Sequence, residues 1–223
     1  MDFAPLTPEE TRVLGALLEK QIATPDYYPL SLNALVNACN QLTNREPIVS
    51  YDESTVLRAL DGLRDKRLSS LYHAVGSHVP RYKHALTEQF VLTPAETALL
   101  CVLLLRGPQT IGELRTRAER LFAFDSLPEV EATLNALIAY TPQPLAVKLA
   151  RQPGTKESRY TQLLSSVASG TAPVAADATA PAPVPPASPA PDRVAQLEQE
   201  TAELRRELAE LREQFAQFKR QFE

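Results

Sequence analysis

The stretch Leu92-Thr93-Pro94-Ala95-Glu96-Thr97 repeats Leu6-Thr7-Pro8-Glu9-Glu10-Thr11 almost letter for letter, and a chain that uses one unit twice has few folds open to it. Each copy carries a helix start signal. Thr stands as N-cap, Pro at the first helical position, and Glu three residues after the cap closes a capping box. An apolar helix is expected behind each, and the two starts set the register for aligning everything that follows.

In the first copy the periodicity predicts a helix over 7–20, with Val13, Leu14, Leu17 and Leu18 on one stripe. Two prolines make 23–29 a loop or a short extended piece. Ser31 caps a second helix through Leu32, Leu35, Val36 and Cys39. Residues 40–50, amide-rich and broken by Pro47, read as another loop. A third helix starts near Asp52, with Val56, Ala59, Leu60 and Leu63 inward and Arg58, Asp61, Arg64 and Asp65 outward. Strands over 68–74 and 79–86, joined by a turn at Gly76-Ser77, close the unit. Three short helices and a hairpin in this order describe a winged helix, whose third helix and wing commonly meet a partner.

The order recurs in the second copy. Gly107-Pro108 stops its first helix, and Thr110 with Glu113 forms another capping box, so Ile111 and Leu114 match Leu32 and Leu35. Val130, Leu134 and Leu137 match Val56, Leu60 and Leu63, while Arg159-Tyr160 matches Arg81-Tyr82 on the strand returning from a turn with Pro153-Gly154. The offset between copies shrinks from 86 to 79 to 74 along the three helices (92 − 6, 111 − 32, 130 − 56), so the first copy alone carries insertions in its two loops. Residues 98–105 are apolar on every face, which suits a helix between the two copies or between subunits.

Seven of the nineteen residues 173–191 are proline and most others are alanine, a composition for an extended, disordered tether. Beyond it Val194, Leu197, Thr201, Leu204, Leu208, Leu211, Phe215, Phe218 and Phe222 alternate by three and four, an a/d seam. With Leu197, Leu204 and Leu211 at d, a parallel pair sets Arg193 against Glu198, Glu200 against Arg205 and Glu207 against Arg212. An antiparallel pair sets like against like. A parallel homodimer through Leu197, Leu204, Leu208, Leu211, Phe215 and Phe218 is therefore expected, the alternatives being a lone solvated helix or one that docks on another protein. The full expectation is a mainly α chain with small β-hairpin wings. It comprises winged-helix domains over 1–90 and 91–165, a Pro/Ala linker over 166–191 and a coiled-coil helix over 192–223.

Several pieces of the first copy resemble the YceH-like family of uncharacterised bacterial proteins. They are Leu17-Leu18-Glu19-Lys20, Thr24-Pro25-Asp26-Tyr27-Tyr28-Pro29-Leu30-Ser31-Leu32-Asn33, and Ala38-Cys39-Asn40-Gln41 followed by Asn44-Arg45. The resemblance covers about residues 6–164. It implies a tandem winged-helix fold and no established activity.

Composition narrows the function classes. Net charge is -4, with 9 lysines and arginines against 11 aspartates and glutamates over 1–90, and 8 against 7 over 91–165. Without a basic footprint in bulk, any nucleic-acid role rests on local patches. Cys39 and Cys101 sit in apolar helical patterns, as buried thiols of a reducing cytosol do. No signal peptide or membrane span is visible, so a cytoplasmic location is expected. His73, His78 and His84 have no carboxylate or cysteine at ligand spacing, which argues against a metal. No GxSxG, P-loop, GxGxxG or HExxH pattern occurs, so the chain reads as non-enzymatic, without a cofactor.

Two readings remain. As a DNA-binding regulator it would use Ser54, Thr55 and Arg58 on the third helix, Lys66 and Arg67 at its end, and Arg81 and Lys83 on the wing. The second copy would add Lys148, Arg151, Lys156 and Arg159. Asp52, Glu53, Asp61, Asp65, Glu129 and Glu131 oppose that use. As a protein-interaction scaffold, dimerised through its tail, it would present Tyr27, Tyr28, Asn40, Gln41, Asn44 and Arg45 from the inserted loops. Since the inserted loops belong to the first copy alone and the all-apolar helix to the second, function is expected in the first copy and assembly in the second.

Overall fold

The computed structural model describes residues 4–73, 79–151, 154, 157–165 and 206. Residues 1–175 form one compact unit and 176–223 another. Of the second unit Arg206 alone is described, in helical conformation. The dimerisation positions Leu197, Leu204, Leu208, Leu211, Phe215 and Phe218 thus lie outside the described residues, as do His78 and Lys156.

The first unit is mainly helical with two small antiparallel sheets. It begins with α1 (Pro8–Ala23), a 3-10 turn (Pro25–Tyr27), β1 (Leu30–Ser31), α2 (Leu32–Cys39) and α3 (Glu53–Asp65). It continues through β2 (Ser69–Tyr72), β3 (Arg81–His84) and a short α4 (Leu86–Gln89). The order then restarts with α5 (Pro94–Arg106), α6 (Ile111–Ala118), α7 (Leu127–Ile138), β4 (Ala146–Lys148) and β5 (Tyr160–Gln162).

The helix starts follow from their caps. In α1 the Thr7 side chain accepts from Glu10 N at 3.2 Å and Glu10 answers to Thr7 N at 2.8 Å. In α5 Thr93 and Glu96 do the same at 3.2 and 2.7 Å, and in α6 Thr110 and Glu113 at 3.2 and 2.9 Å. Each box satisfies two N–H groups that the helix leaves without partners. Ser31 and Asp52 cap α2 and α3 with their side chains. Gly107 ends α5 at φ 67, a conformation that favours glycine.

The repeat extends into the sheets. The first sheet runs β1-β3-β2, with Leu30 opposite Tyr82. In the second, β4 pairs with β5, and Gln109 bridges Tyr160. Gln109 stands 79 residues after Leu30, the spacing of the second helices (109 − 30). The two-residue β1 has no periodicity of its own, so it exists only through its partner and was not expected. Against the strands expected over 68–74 and 79–86, β2 covers Ser69–Tyr72 and β3 Arg81–His84 among the described residues, and β3 ends where the chain turns into α4 after Ala85. The turn at Gly76-Ser77 lies outside the described residues.

The equivalent helices α1 and α5 pack against each other. Every residue from Thr97 to Leu105 is buried, as the all-apolar face of that segment requires. On α1 the expected single stripe is incomplete: residues 12–18 are all buried. The reason is small side chains. Gly15 and Ala16 let α5 close over the second face, so near that the Cys101 thiol donates to Gly15 O at 3.5 Å. One continuous core results, running from Leu6 through α1 and α5 to Leu164. Leu6 N also donates to Leu164 O at 2.8 Å, tying the end of the second copy to the start of the first.

No described helix is long and apolar enough to cross a membrane. Among the described residues no group of three His, Cys, Asp or Glu side chains is placed to hold a metal.

Candidate interaction site

Helix α3 and the strands β3, β4 and β5 with their flanking residues hold most of the basic candidates, and internal partners engage many of them. Lys66 Nζ sits 2.6 Å from Glu10 Oε1, a pair held between α1 and α3 with Glu10 4% exposed. Gly62 leaves room for that carboxylate, which lies where a Cβ would project. Arg81 donates to Pro29 O at 2.9 Å, and Arg159 donates to Pro108 O at 2.8 Å. Pro29 and Pro108 are again 79 apart, so the two arginines are one latch used twice, pinning the returning strand to the segment before the second helix. Arg159 also meets Glu113 at 3.0 Å. Lys148 lies over the Tyr160 ring at 5.6 Å.

On α3, Arg58 folds back onto Ser54 and Thr55 at 3.4 and 3.0 Å. Those two side chains flank Asp52, whose carboxylate accepts from Thr55 N at 2.8 Å and from Ser54 Oγ at 3.0 Å. Hydrogen bonds from Thr55 and Ser54 hold the Asp52 carboxyl below its ordinary range. The exposed face of α3 sets Glu53, Asp61 and Asp65 against Arg58 and Arg64, and Asp61 pairs with Arg64 at 2.8 Å. Arg67 is exposed at φ 58, its carbonyl taken by Gln89. Lys83 reaches Glu88 at 3.6 Å. Arg151 is exposed. Helix α7 contains no lysine or arginine, and shows Leu127, Pro128, Glu131, Ala132, Asn135 and Ala136 to solvent.

The β2–β3 pair is anchored at one end. Tyr28 Oη accepts from His84 N at 2.7 Å, and His84 Nε2 donates to Gln21 Oε1. Burial first, then Lys83, lowers the His84 pKa from 6.5 to about 4, against a smaller opposing effect of Glu88. The folded pKa lies below the unfolded one, so the contribution of this ring to stability is complete above 6.5. It is lost as pH falls from there through 4. The His84 ring resonance in the native protein should titrate with a midpoint near 4. A midpoint near 6.5 would refute its burial as a neutral ring.

The inserted loop over 40–50 is built on two buried arginines. Asn40 closes its neck, donating to Tyr51 O and accepting from Tyr51 N, both at 2.8 Å. Arg45 was expected at the surface, but its side chain is 0% exposed. It contacts Ala38 O at 2.8 Å, Asn44 O at 2.9 Å, Gln41 Oε1 at 2.9 Å and Glu19 Oε2 at 2.5 Å. It is therefore a pin for the loop, not a contact for a partner. The chain folds this way because the loop leaves carbonyls pointing inward, and a guanidinium satisfies several at once. Arg12 does likewise for Cys39 O and Pro47 O. Desolvation, then the nearby Arg45 charge, pushes the Arg12 pKa down. Outward remain Tyr27, Leu42 and Ile48, at 75%, 76% and 60% exposed. Tyr28 is half-buried, and burial pushes its hydroxyl pKa up.

Beside this loop the two copies leave a cleft of about 900 Å³. Its rim includes Gln41 and Asn44 from the loop, and its walls come from the ends of α1, α5 and α6. Lys20, Arg106, Arg117 and Arg120 all face it. Near helix C-termini such cations suit the helix dipole, but here three helix ends converge. Arg106 bonds the Asn44 side-chain oxygen. Its pKa is lowered by burial first and then by the Arg117 charge. Lys20 lies 4.0 Å from Glu19, which Arg45 already holds. Arg117 lies 3.6 Å from Glu113, shared with Arg159. Neither Arg106 nor Arg120 forms an ion pair among the described residues. Sequence reading missed this group because its members come from three separate elements; the only local signal is the density of arginine over 115–120.

The family described as "Protein of unknown function, DUF480" matches residues 6–155. A UPF0502 protein of Opitutus terrae is 56% identical over 197 residues, 88% of this chain and 82% of that one. One from Citrifermentans bemidjiense is 57% identical over 162 residues, covering 73% and 74%. One from Solibacter usitatus is 52% identical over 197 residues, covering 88% and 91%. These likenesses agree with the resemblance carried by the motifs of the first copy.

Proposed function

The chain belongs to the DUF480 family of uncharacterised bacterial proteins, and from that premise we propose that it is a non-enzymatic tandem winged-helix protein serving as a protein-interaction module. The observation that supports this reading is the state of the two third-helix faces. On α7 there is no basic side chain to meet a phosphate or a guanine edge, and on α3 three carboxylates stand against two guanidiniums. Lys66, Arg81 and Arg159, the natural reinforcements of a DNA surface, are taken up in holding the fold. Exposed Tyr27, Leu42 and Ile48 on the inserted loops, by contrast, are side chains of the kind that protein interfaces bury.

The test is crosslinking in the native cell, scored for DNA and for protein, beside duplex binding at about 50 mM salt. Protein partners and no duplex binding are expected. Duplex binding that falls steeply with salt, and weakens when Arg58, Arg67 and Lys83 are replaced, would establish the DNA-binding regulator instead. A tail fragment that sediments as a dimer would add the scaffold's second arm; a monomer would remove it.

A further inference from the structure

We propose that the cleft beside the inserted loop binds an acidic segment of a partner protein, with its carboxylates on Lys20, Arg106, Arg117 and Arg120. The proposal rests on the interaction-module reading and names the chemistry of the partner. Charge is the first argument. Four cations face the cleft against Glu19 and Glu119, and Glu19 is committed to the buried Arg45. Arg106 and Arg120 form no ion pair among the described residues, and Arg106 feels the repulsion of Arg117 and Arg45, with Glu46 and Glu19 opposing it. An arriving carboxylate relieves that repulsion, and a guanidinium fork takes it through two parallel hydrogen bonds.

Shape is the second argument. A recess of about 900 Å³ walled by three helix ends has room for a short extended peptide. Among the described residues no aromatic side chain lines it, so a single-stranded nucleic acid would find no stacking platform there. At the rim the Gln41 and Asn44 side-chain oxygens are held by Arg45 and Arg106, which leaves their amide N–H groups and the Thr43 hydroxyl to meet a peptide backbone.

The test is fluorescence anisotropy of a fluorescein-labelled oligo-glutamate peptide titrated with the full chain. Saturable binding that weakens with salt is expected, and the double substitution Arg106→Glu, Arg120→Glu should weaken it by at least about ten-fold. Arg64→Glu, an exposed change on α3 away from the cleft, should leave it unchanged; circular dichroism should show all three proteins folded. Absence of saturable binding, or equal loss with Arg64→Glu, overturns the proposal. So does displacement of the peptide by a single-stranded oligonucleotide of equal charge at lower concentration. Protein crosslinks that persist unchanged in the double variant would remove the cleft while leaving the interaction module standing; crosslinks to DNA alone would remove both.

Discussion

Replacing Arg45 by Ala should lower the stability of the protein by about 3–5 kcal/mol, measured as a shift in urea midpoint at constant slope. The size follows from what the side chain leaves behind. Its guanidinium is 0% exposed and holds both oxygens of Glu19, whose side chain is 12% exposed, so truncation strands a carboxylate in a poorly solvated position. The Ala38 carbonyl, which accepts from Nε at 3.0 Å and from Nη2 at 2.8 Å, loses its side-chain donors. The loop over 40–50 also loses its pin, and with it the position of Asn44 on the cleft rim. Arg45→Lys should recover only part, because an ammonium has three donors at a point and no fork. Adding Glu19→Leu to Arg45→Ala should restore stability by removing the stranded charge. A loss below about 1 kcal/mol in Arg45→Ala would mean that the loop is not organised by this residue.

Arg45 also shows where sequence reasoning stops. An arginine in a polar, asparagine-rich loop reads as surface, because its neighbours Asn44 and Glu46 are indeed exposed. Only the folded chain brings Glu19 from α1 and Ala38 O from α2 to the same point. Caps behave differently, since a Thr, Ser or Asp and the backbone it bonds lie within three residues. Thr7, Ser31, Asp52, Thr93 and Thr110 were accordingly all readable as helix starts. The latch formed by Arg81 and Arg159 lies between these cases. Aligning the copies equates the two arginines at an offset of 78 (159 − 81) and Pro29 with Pro108 at 79 (108 − 29), but that each arginine bonds the proline carbonyl of its own copy needs the sheet. The cationic cleft is the least legible feature, because helix ends far apart in sequence supply its charges one or two at a time.

The junction of the two copies carries the other large expectation, a loss of about 2–3 kcal/mol in Gly15→Leu by urea or thermal unfolding. Local propensity points the other way, since leucine is a better helix former than glycine by about 0.8 kcal/mol. Packing decides. A Cβ at position 15 would come within 2.8 Å of Leu105 Cδ2 and 3.2 Å of Leu104 Cβ, and a whole leucine has no room beside α5. Neither neighbour can yield easily, because Leu104 and Leu105 are 4% and 3% exposed within the shared core. Gly112 is the control. It lies near the start of α6, nothing stands within 4 Å of its Cβ position, and Gly112→Ala should gain about 0.5 kcal/mol. If Gly15→Leu proves as stable as the parent chain, α1 and α5 do not meet as described. If the loss appears, the glycine that breaks the apolar run of α1 is what lets two equivalent helices close on each other, and through them lets one repeated unit build one core.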